Sequence, residues 1–238
     1  NEHTMQKVYS VFKRDAIAWM TTGKYTNHGY MIPYDIGNSC RRGITAMMLG
    51  RTNEKASSVN SNGNGGLMRI LPLAFAGMED EATLMQYIKL LNKDSHNHKI
   101  SHIGCLIYTK LVQNLQIPNI SLRKALENTV DSISNQYKIS EYKRIWDLSI
   151  LDETRNAVAS TGYVVHTLEA AIWSCAQCDN YRDAVITAVN LGEDTDTVAA
   201  LTGGIAGVYF GGIPEQWIRN TRRVGFLQKM CDKFEKGE

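Results

Sequence analysis

The stretch STGYVVHTLEAAIWSCAQC, Ser160 to Cys178, decides the fold class. Val165, Leu168, Ile172 and Cys175 recur at steps of three, four and three. That spacing stacks side chains along one face of an α-helix. The same rhythm runs outward in both directions. Tyr9, Phe12, Ala16 and Trp19 draw an apolar stripe near the start of the chain. Asp80 is placed to cap a helix carrying Leu84, Ile88 and Leu91. Ser101 to Leu115 and Ser121 to Val130 continue the pattern. Asp183 to Leu191 reads as a further helix closed by Gly192, and Thr197 to Phe210 as the next. In the last of these, Gly203, Gly207 and Gly211 recur every fourth residue, at a helix cost of roughly 1 kcal/mol each against Ala. Another backbone approaching along that face is the expected reason. Sustained alternation of apolar and polar residues is scarce, so the expectation is one compact, all-α domain over residues 1–238.

Composition narrows the function classes. Hydrophobic residues make up 43% and charged residues 21% of the 238 positions, ordinary values for a globular protein. A net charge of +2 gives no broad field for sequence-specific nucleic acid or an anionic membrane. The longest apolar run, Val198 to Gly212, is interrupted by Thr202 and falls short of the roughly 18 residues of a membrane span. Cys40, Cys105, Cys175, Cys178 and Cys231 are an odd, scattered set, which fits a reducing, cytoplasmic compartment. Cys175 and Cys178 form a CxxC without a second pair, read as two small residues on one helix face. The chain begins at Asn1 with no visible signal peptide, and an absent N-terminal piece is expected.

Four stretches carry residues suited to chemistry. In NLGEDTDTVAAL, Asn190 to Leu201, the carboxylates Glu193, Asp194 and Asp196 crowd against a segment made for burial. Two unit charges about 4 Å apart repel by roughly 4 kcal/mol at an effective dielectric near 20, and a helix dipole offsets about 0.3–1 kcal/mol. Either Asp196 or Thr195 caps the helix while Asp194 faces solvent, or the acids hold a hard cation. In SVNSNGNGGLMRILPLAF, residues 58–75, Gly63, Gly65 and Gly66 form a turn that either cradles a phosphate through its N–H groups or simply connects. His96, His98 and His102 allow a zinc site, an anion contact or surface positions. Asp35 and Gly37 sit in a turn before a helix capped by Asn38 or Ser39, with Asp35 either a turn residue or a pocket acid.

Taken in order, YDIGNSCRRGI, SNGNGGLMRILPLA, SHNH, STGYVVHTLEAAIW and NLGEDTDTVAALTGGIAGVYFGGIPEQW resemble the ADP-ribosylglycohydrolase family, including the dinitrogenase reductase-activating glycohydrolases. The resemblance implies an all-α fold with a binuclear Mg²⁺ or Mn²⁺ centre in a cleft. It implies hydrolysis of the glycosidic bond between ADP-ribose and a protein side chain, with ADP-ribosylated protein or an ADP-ribose-containing small molecule as partner. By matching positions, Asp194, Asp196 and Thr197 would be metal ligands, with Asp194 and Asp35 at the catalytic centre. Gly37, Ser61, Gly63, Asn64, Gly65 and His96 would contact substrate.

The chain departs from the family pattern at its start. A Thr-Asp-Asp metal motif and an upstream acid are expected before Asp35, where only Glu2 and Asp15 are acidic. NEHTMQ supplies at most Glu2 and Thr4 in that role. Beside the hydrolase reading stand a non-catalytic ADP-ribose-binding member of the same fold and a zinc hydrolase built on the histidines.

Overall fold

A computed structural model of the chain describes residues 2–26, 33, 35–78 and 80–237, with the side chain of Glu2 outside that set. Helices follow one another as α1 (Glu2–Thr22), α2 (Asn38–Met48), α3 (Glu81–Asn92), α4 (Lys99–Leu115), α5 (Leu122–Ser132) and the short α6 (Lys143–Trp146). They continue as α7 (Val164–Ala176), α8 (Tyr181–Val189), α9 (Thr195–Tyr209), α10 (Glu215–Asn220) and α11 (Val224–Glu235). Among the described residues the only β pairing is a single antiparallel bridge between Gly63 and Tyr163. The all-α expectation holds.

The helices form where cap chemistry and apolar spacing agree. Asp80 accepts from Thr83 N at 2.7 Å, Ser121 from Lys124 N at 3.2 Å and Asn180 from Asp183 N at 2.9 Å. Each satisfies an orphan donor of a helix start, an interaction worth about 1 kcal/mol. α4 and α7 lie deepest, with Cys105, Leu106, Ile107, Leu111, Leu168, Ile172 and Cys175 all fully buried. Each such aliphatic side chain contributes roughly 1.5–3 kcal/mol by leaving water. α7 packs against α8 and α9, and α4 joins α5 and α7 to the segment before α3.

Several expectations are corrected. α4 begins at Lys99 rather than Ser101, because His98 Nδ1 accepts from Ile100 N at 3.4 Å. α8 is capped at its C-terminus by Asn190, and Gly192, at φ +90°, lies two residues further on. Gly37, with no side-chain bond, holds the N-cap of α2 in place of Asn38 or Ser39. The Gly-rich turn expected within 58–75 is part of a succession of 3₁₀ turns that runs over 54–75. The glycines of α9 receive a side chain instead of a second backbone. A β-carbon at Gly203 would stand 3.1 Å from Tyr181 Oη, and one at Gly207 3.8 Å from the same ring, while Gly211 follows the helix at φ +63°. Cys178 lies beyond the end of α7, so the two CxxC thiols do not share that helix. Among the described residues no helix is long and apolar enough to cross a membrane.

Candidate active-site cleft

A cleft of about 600 Å³ opens where the N-termini of α2 and α9 meet the 3₁₀ turns, with α1 as one wall. Asp35, Gly37, Gly63, Asn64, Gly65, His96, Asp194, Asp196 and Thr197 all line it. These positions come from four separate stretches that together span most of the chain. Tyr34 and residues 27–32, which begin or precede the first of the family landmarks, lie outside the described residues.

Asp194 anchors the acidic end. It occupies the N-cap position of α9, yet its carboxylate makes no cap bond to the helix. Its backbone N–H donates to Ser160 O at 3.1 Å, and Asn64 Nδ2 donates to its Oδ2 at 2.6 Å. Thr195 and Asp196 are already inside the helix, so neither caps it. Asp196 is exposed, Glu193 is exposed and absent from the lining, and Thr197 is buried with its hydroxyl 3.9 Å from Met68 Sδ. The positive end of the α9 dipole favours negative charge at these positions.

The Asn-Gly turn is held rigidly beside that end. Asn64 N donates to Gly162 O at 3.0 Å and Val164 N to Asn62 O at 2.9 Å, tying the turn to the start of α7. Asn64 Nδ2 also donates to Thr167 Oγ1 at 3.0 Å. A β-carbon at Gly66 would meet Asn92 Oδ1 at 2.4 Å, and one at Gly65 would meet His96 Cε1 at 2.9 Å. Close packing on the α3–α4 connection therefore explains these two glycines. Ser61 departs from the expected lining. Its hydroxyl donates to Lys55 O at 2.6 Å, and it is buried behind the cleft.

The opposite wall contains residues that sequence reasoning did not assign. Phe12, Ala16 and Trp19 of α1 present half-buried apolar surface to the cleft. Arg69 donates to Gly65 O, Leu91 O, Asn92 Oδ1 and Ser95 Oγ at 2.8–3.1 Å, and its guanidinium lies 5.5 Å from the Phe12 ring centroid. Among the described residues no carboxylate pairs with it. The sequence signal was a lone charge inside the apolar run after the glycines.

The histidines separate. His96 lines the cleft, His98 caps α4, and His102 is buried with an unpartnered Nε2. Burial first, then Arg69 and His102, push the His96 imidazole down to about 3. Burial, with Lys89 and His98, brings His102 to about 4. Among the described residues no group of three or more His, Cys, Asp or Glu side chains is arranged to hold a metal. The zinc reading is thereby overturned. The donors at the acidic end are two carboxylates and an alcohol, hard oxygen ligands that fit Mg²⁺ or Mn²⁺.

Comparison with known proteins places this geometry. A profile described as ADP-ribosylglycohydrolase matches residues 2–238. The ADP-ribosyl-[dinitrogen reductase] glycohydrolase of Rhodospirillum rubrum is 30% identical over 188 residues, covering 78% of this chain and 60% of that protein. The ADP-ribosylarginine hydrolase Tri1 of Pseudomonas putida (strain GB-1) is 25% identical over 233 residues, 95% of this chain and 60% of that one. This chain thus spans about 60% of the length of those relatives. A solved structure titled ADP-ribosylglycohydrolase-related protein complex superposes with a TM-score of 0.67 at 24% identity, covering 84% of this chain and 69% of that one, and shares the fold.

Proposed function

Since the chain belongs to the ADP-ribosylglycohydrolase family, we propose that its cleft hydrolyses the glycosidic bond between ADP-ribose and a protein side chain. The supporting observation is that Asp194, Asp196 and Thr197 of α9 share one cleft with Asp35, the Gly63–Gly65 turn and His96. Arginine is the side chain to test first, because relatives carry the name ADP-ribosylarginine hydrolase.

Asp194, Asp196 and Thr197 would hold Mg²⁺ or Mn²⁺, whose Lewis-acid charge orients the ribose and activates water when bound. The chain's own residues do the rest. Asn64 fixes one oxygen of Asp194 and leaves the other for the cleft. The carboxylates of Asp194 and Asp35 stabilise the positive charge that develops on the sugar as the glycosidic bond breaks. The Gly63–Gly65 turn and His96 bind the diphosphate and ribose. The uncompensated charge of Arg69 favours an anionic ligand on that side. Phe12 and Trp19 offer flat apolar surface to the adenine and exclude water from the far end.

Release of ADP-ribose from ADP-ribosylarginine, with Mg²⁺ or Mn²⁺ present and with a chelator, tests the reading. Metal-dependent release that is lost on replacing Asp194 and Asp196 together by Ala is the expected result. Undiminished release by that double variant would sink it. A second reading is an ADP-ribose-binding member of the same fold without turnover. Calorimetric binding of ADP-ribose with no release at saturating metal would favour that one.

A further inference from the structure

Ser95 joins Arg69 to His96. Arg69 Nη2 donates to Ser95 Oγ at 2.8 Å, and Ser95 Oγ lies 2.9 Å from His96 Nδ1. The direction of the second bond follows from counting hydrogens. Arg69 has no acceptor capacity, so one lone pair of Ser95 Oγ is taken. Were His96 Nδ1 to carry the ring hydrogen, it would donate to the same oxygen. The serine hydrogen would then have no acceptor, since Ser95 Oγ makes no other hydrogen bond among the described residues. Ser95 is only 5% exposed, and an unmade buried bond costs about 1–3 kcal/mol. With the serine hydrogen given to Nδ1, both Ser95 Oγ and His96 Nδ1 are satisfied. The ring hydrogen then sits on Nε2.

That edge of the ring stands against the Gly63–Gly65 turn. A β-carbon at Gly65 would come within 3.2 Å of His96 Nε2, and one at Gly63 within 3.8 Å. Burial of the ring, 2% exposed, together with the nearby Arg69 charge disfavours a second proton. We infer that Arg69 and Ser95 are positioning residues that lock His96 in its neutral Nε2–H form. The cleft thereby presents one fixed N–H donor, beside the Gly63–Gly65 turn, to an oxygen of the bound ligand. The identity of that ligand as ADP-ribosyl rests on the proposed function; the tautomer does not.

The test is a long-range proton–nitrogen correlation spectrum of the full chain with ¹⁵N-labelled histidine at neutral pH. His96→Gln identifies the resonances by their loss. In the wild type, Nε2 is expected in the protonated range and Nδ1 in the bare range. Ser95→Ala is expected to shift the ring toward the Nδ1–H form and to weaken ADP-ribose binding roughly tenfold, the value of one hydrogen bond to a charged ligand. Ser95→Thr, which keeps the hydroxyl, restores both readouts. Arg69→Lys keeps a charge but loses the fork, so a mixture of tautomers and several-fold weaker binding are expected.

A wild-type ring protonated on Nδ1 overturns the relay. So does an Nε2–H form that persists unchanged in Ser95→Ala. If Ser95→Ala does not fold, the wild-type and Ser95→Thr spectra still decide the tautomer. An Nε2–H ring in a wild-type chain that binds no ADP-ribose leaves the relay standing and overturns the ADP-ribosyl reading instead.

Discussion

The side-chain amide of Asn64 donates to Asp194 Oδ2 at 2.6 Å, joining residues 130 positions apart. The same nitrogen donates to Thr167 Oγ1, whose own hydrogen goes to the carbonyls of Thr161 and Tyr163. Asp194 is therefore oriented by a network rooted at the start of α7, well before any ligand arrives. Replacing Asn64 by Ala frees the carboxylate to rotate. Groups that orient a metal-binding side chain typically change affinity or activity by about 10–100-fold. The expected outcome is a loss of that size in Mg²⁺- or Mn²⁺-dependent ADP-ribose release. The variant should remain folded, at a cost of roughly 1–2 kcal/mol in urea unfolding. Unaltered metal titration in Asn64→Ala would show that Asp194 needs no such support.

The glycines of the molecule divide by what surrounds them. A β-carbon at Gly66 would stand 2.4 Å from Asn92 Oδ1, and one at Gly204 would stand 2.2 Å from the hydroxyl of the buried Tyr108. That hydroxyl donates to Leu201 O and has little freedom to retreat. Gly66→Ala and Gly204→Ala are each expected to destabilise the protein by about 1–3 kcal/mol. At Gly207 the nearest atom would be an ordinary 3.8 Å away, so Gly207→Ala should be neutral or stabilise by up to about 1 kcal/mol. Thermal melts of the three variants check the order. A Gly207→Ala variant that melts well below Gly66→Ala would refute the assignment.

What was legible in the sequence was what local chemistry controls. Asp80 and Ser121 cap the helices they precede, because capping involves only the next three residues. The Val165, Leu168, Ile172 and Cys175 stripe is buried as its spacing requires. The cleft acids stood out because Asp194 and Asp196 flank a helix start. The segment 54–75 was opaque for the opposite reason. Its 3₁₀ turns have no apolar period, and its side chains answer to distant partners. Ser61 turns to Lys55 O, and Arg69 reaches Leu91, Asn92 and Ser95, more than twenty positions away. No spacing rule connects such residues, so neither the misplacement of Ser61 nor the role of Arg69 could be read before the fold. His98 was drawn into a metal reading by its neighbours, whereas its ring caps α4.

Glu169 sits in the middle of α7 with only 3% of its surface exposed, and both its oxygens are met by the guanidinium of Arg144. Arg144 Nη1 also donates to Ala157 O at 2.8 Å, which ties the approach to the Asn64-binding loop onto α7. Glu169 is buried while Arg144 is 29% exposed, so stranding the carboxylate costs less than the roughly 3–5 kcal/mol of a fully buried pair, about 2–3 kcal/mol. Arg144→Met should cost that much in chemical unfolding. Replacing both, as Arg144→Met with Glu169→Leu, should recover most of the loss. A double variant no more stable than Arg144→Met alone would mean that lost packing, and not the stranded carboxylate, sets the cost.

Stability should also fall in mild acid. His96 and His102 are held near 3 and 4 in the fold, against 6.5 for an ordinary histidine. Between those values the unfolded chain binds protons that the folded chain refuses. Their stabilising contribution is therefore fully present above about pH 6.5 and is lost as pH drops toward 4. Each group is worth about 1–2 kcal/mol by pH 5. Arg69 and Lys89, the leading charges beside His96 and His102, stay positive throughout this range; the further neighbours, His102 beside His96 and His98 beside His102, also disfavour the proton when charged, so the sign is unchanged. Urea unfolding at pH 7 and pH 5 measures the slope. Because other groups titrate alike in both proteins, the difference between wild type and His102→Leu isolates one histidine. His102→Leu is expected to flatten the dependence by about 1–2 kcal/mol over that interval. Identical slopes in the two proteins would show that His102 accepts its proton while folded.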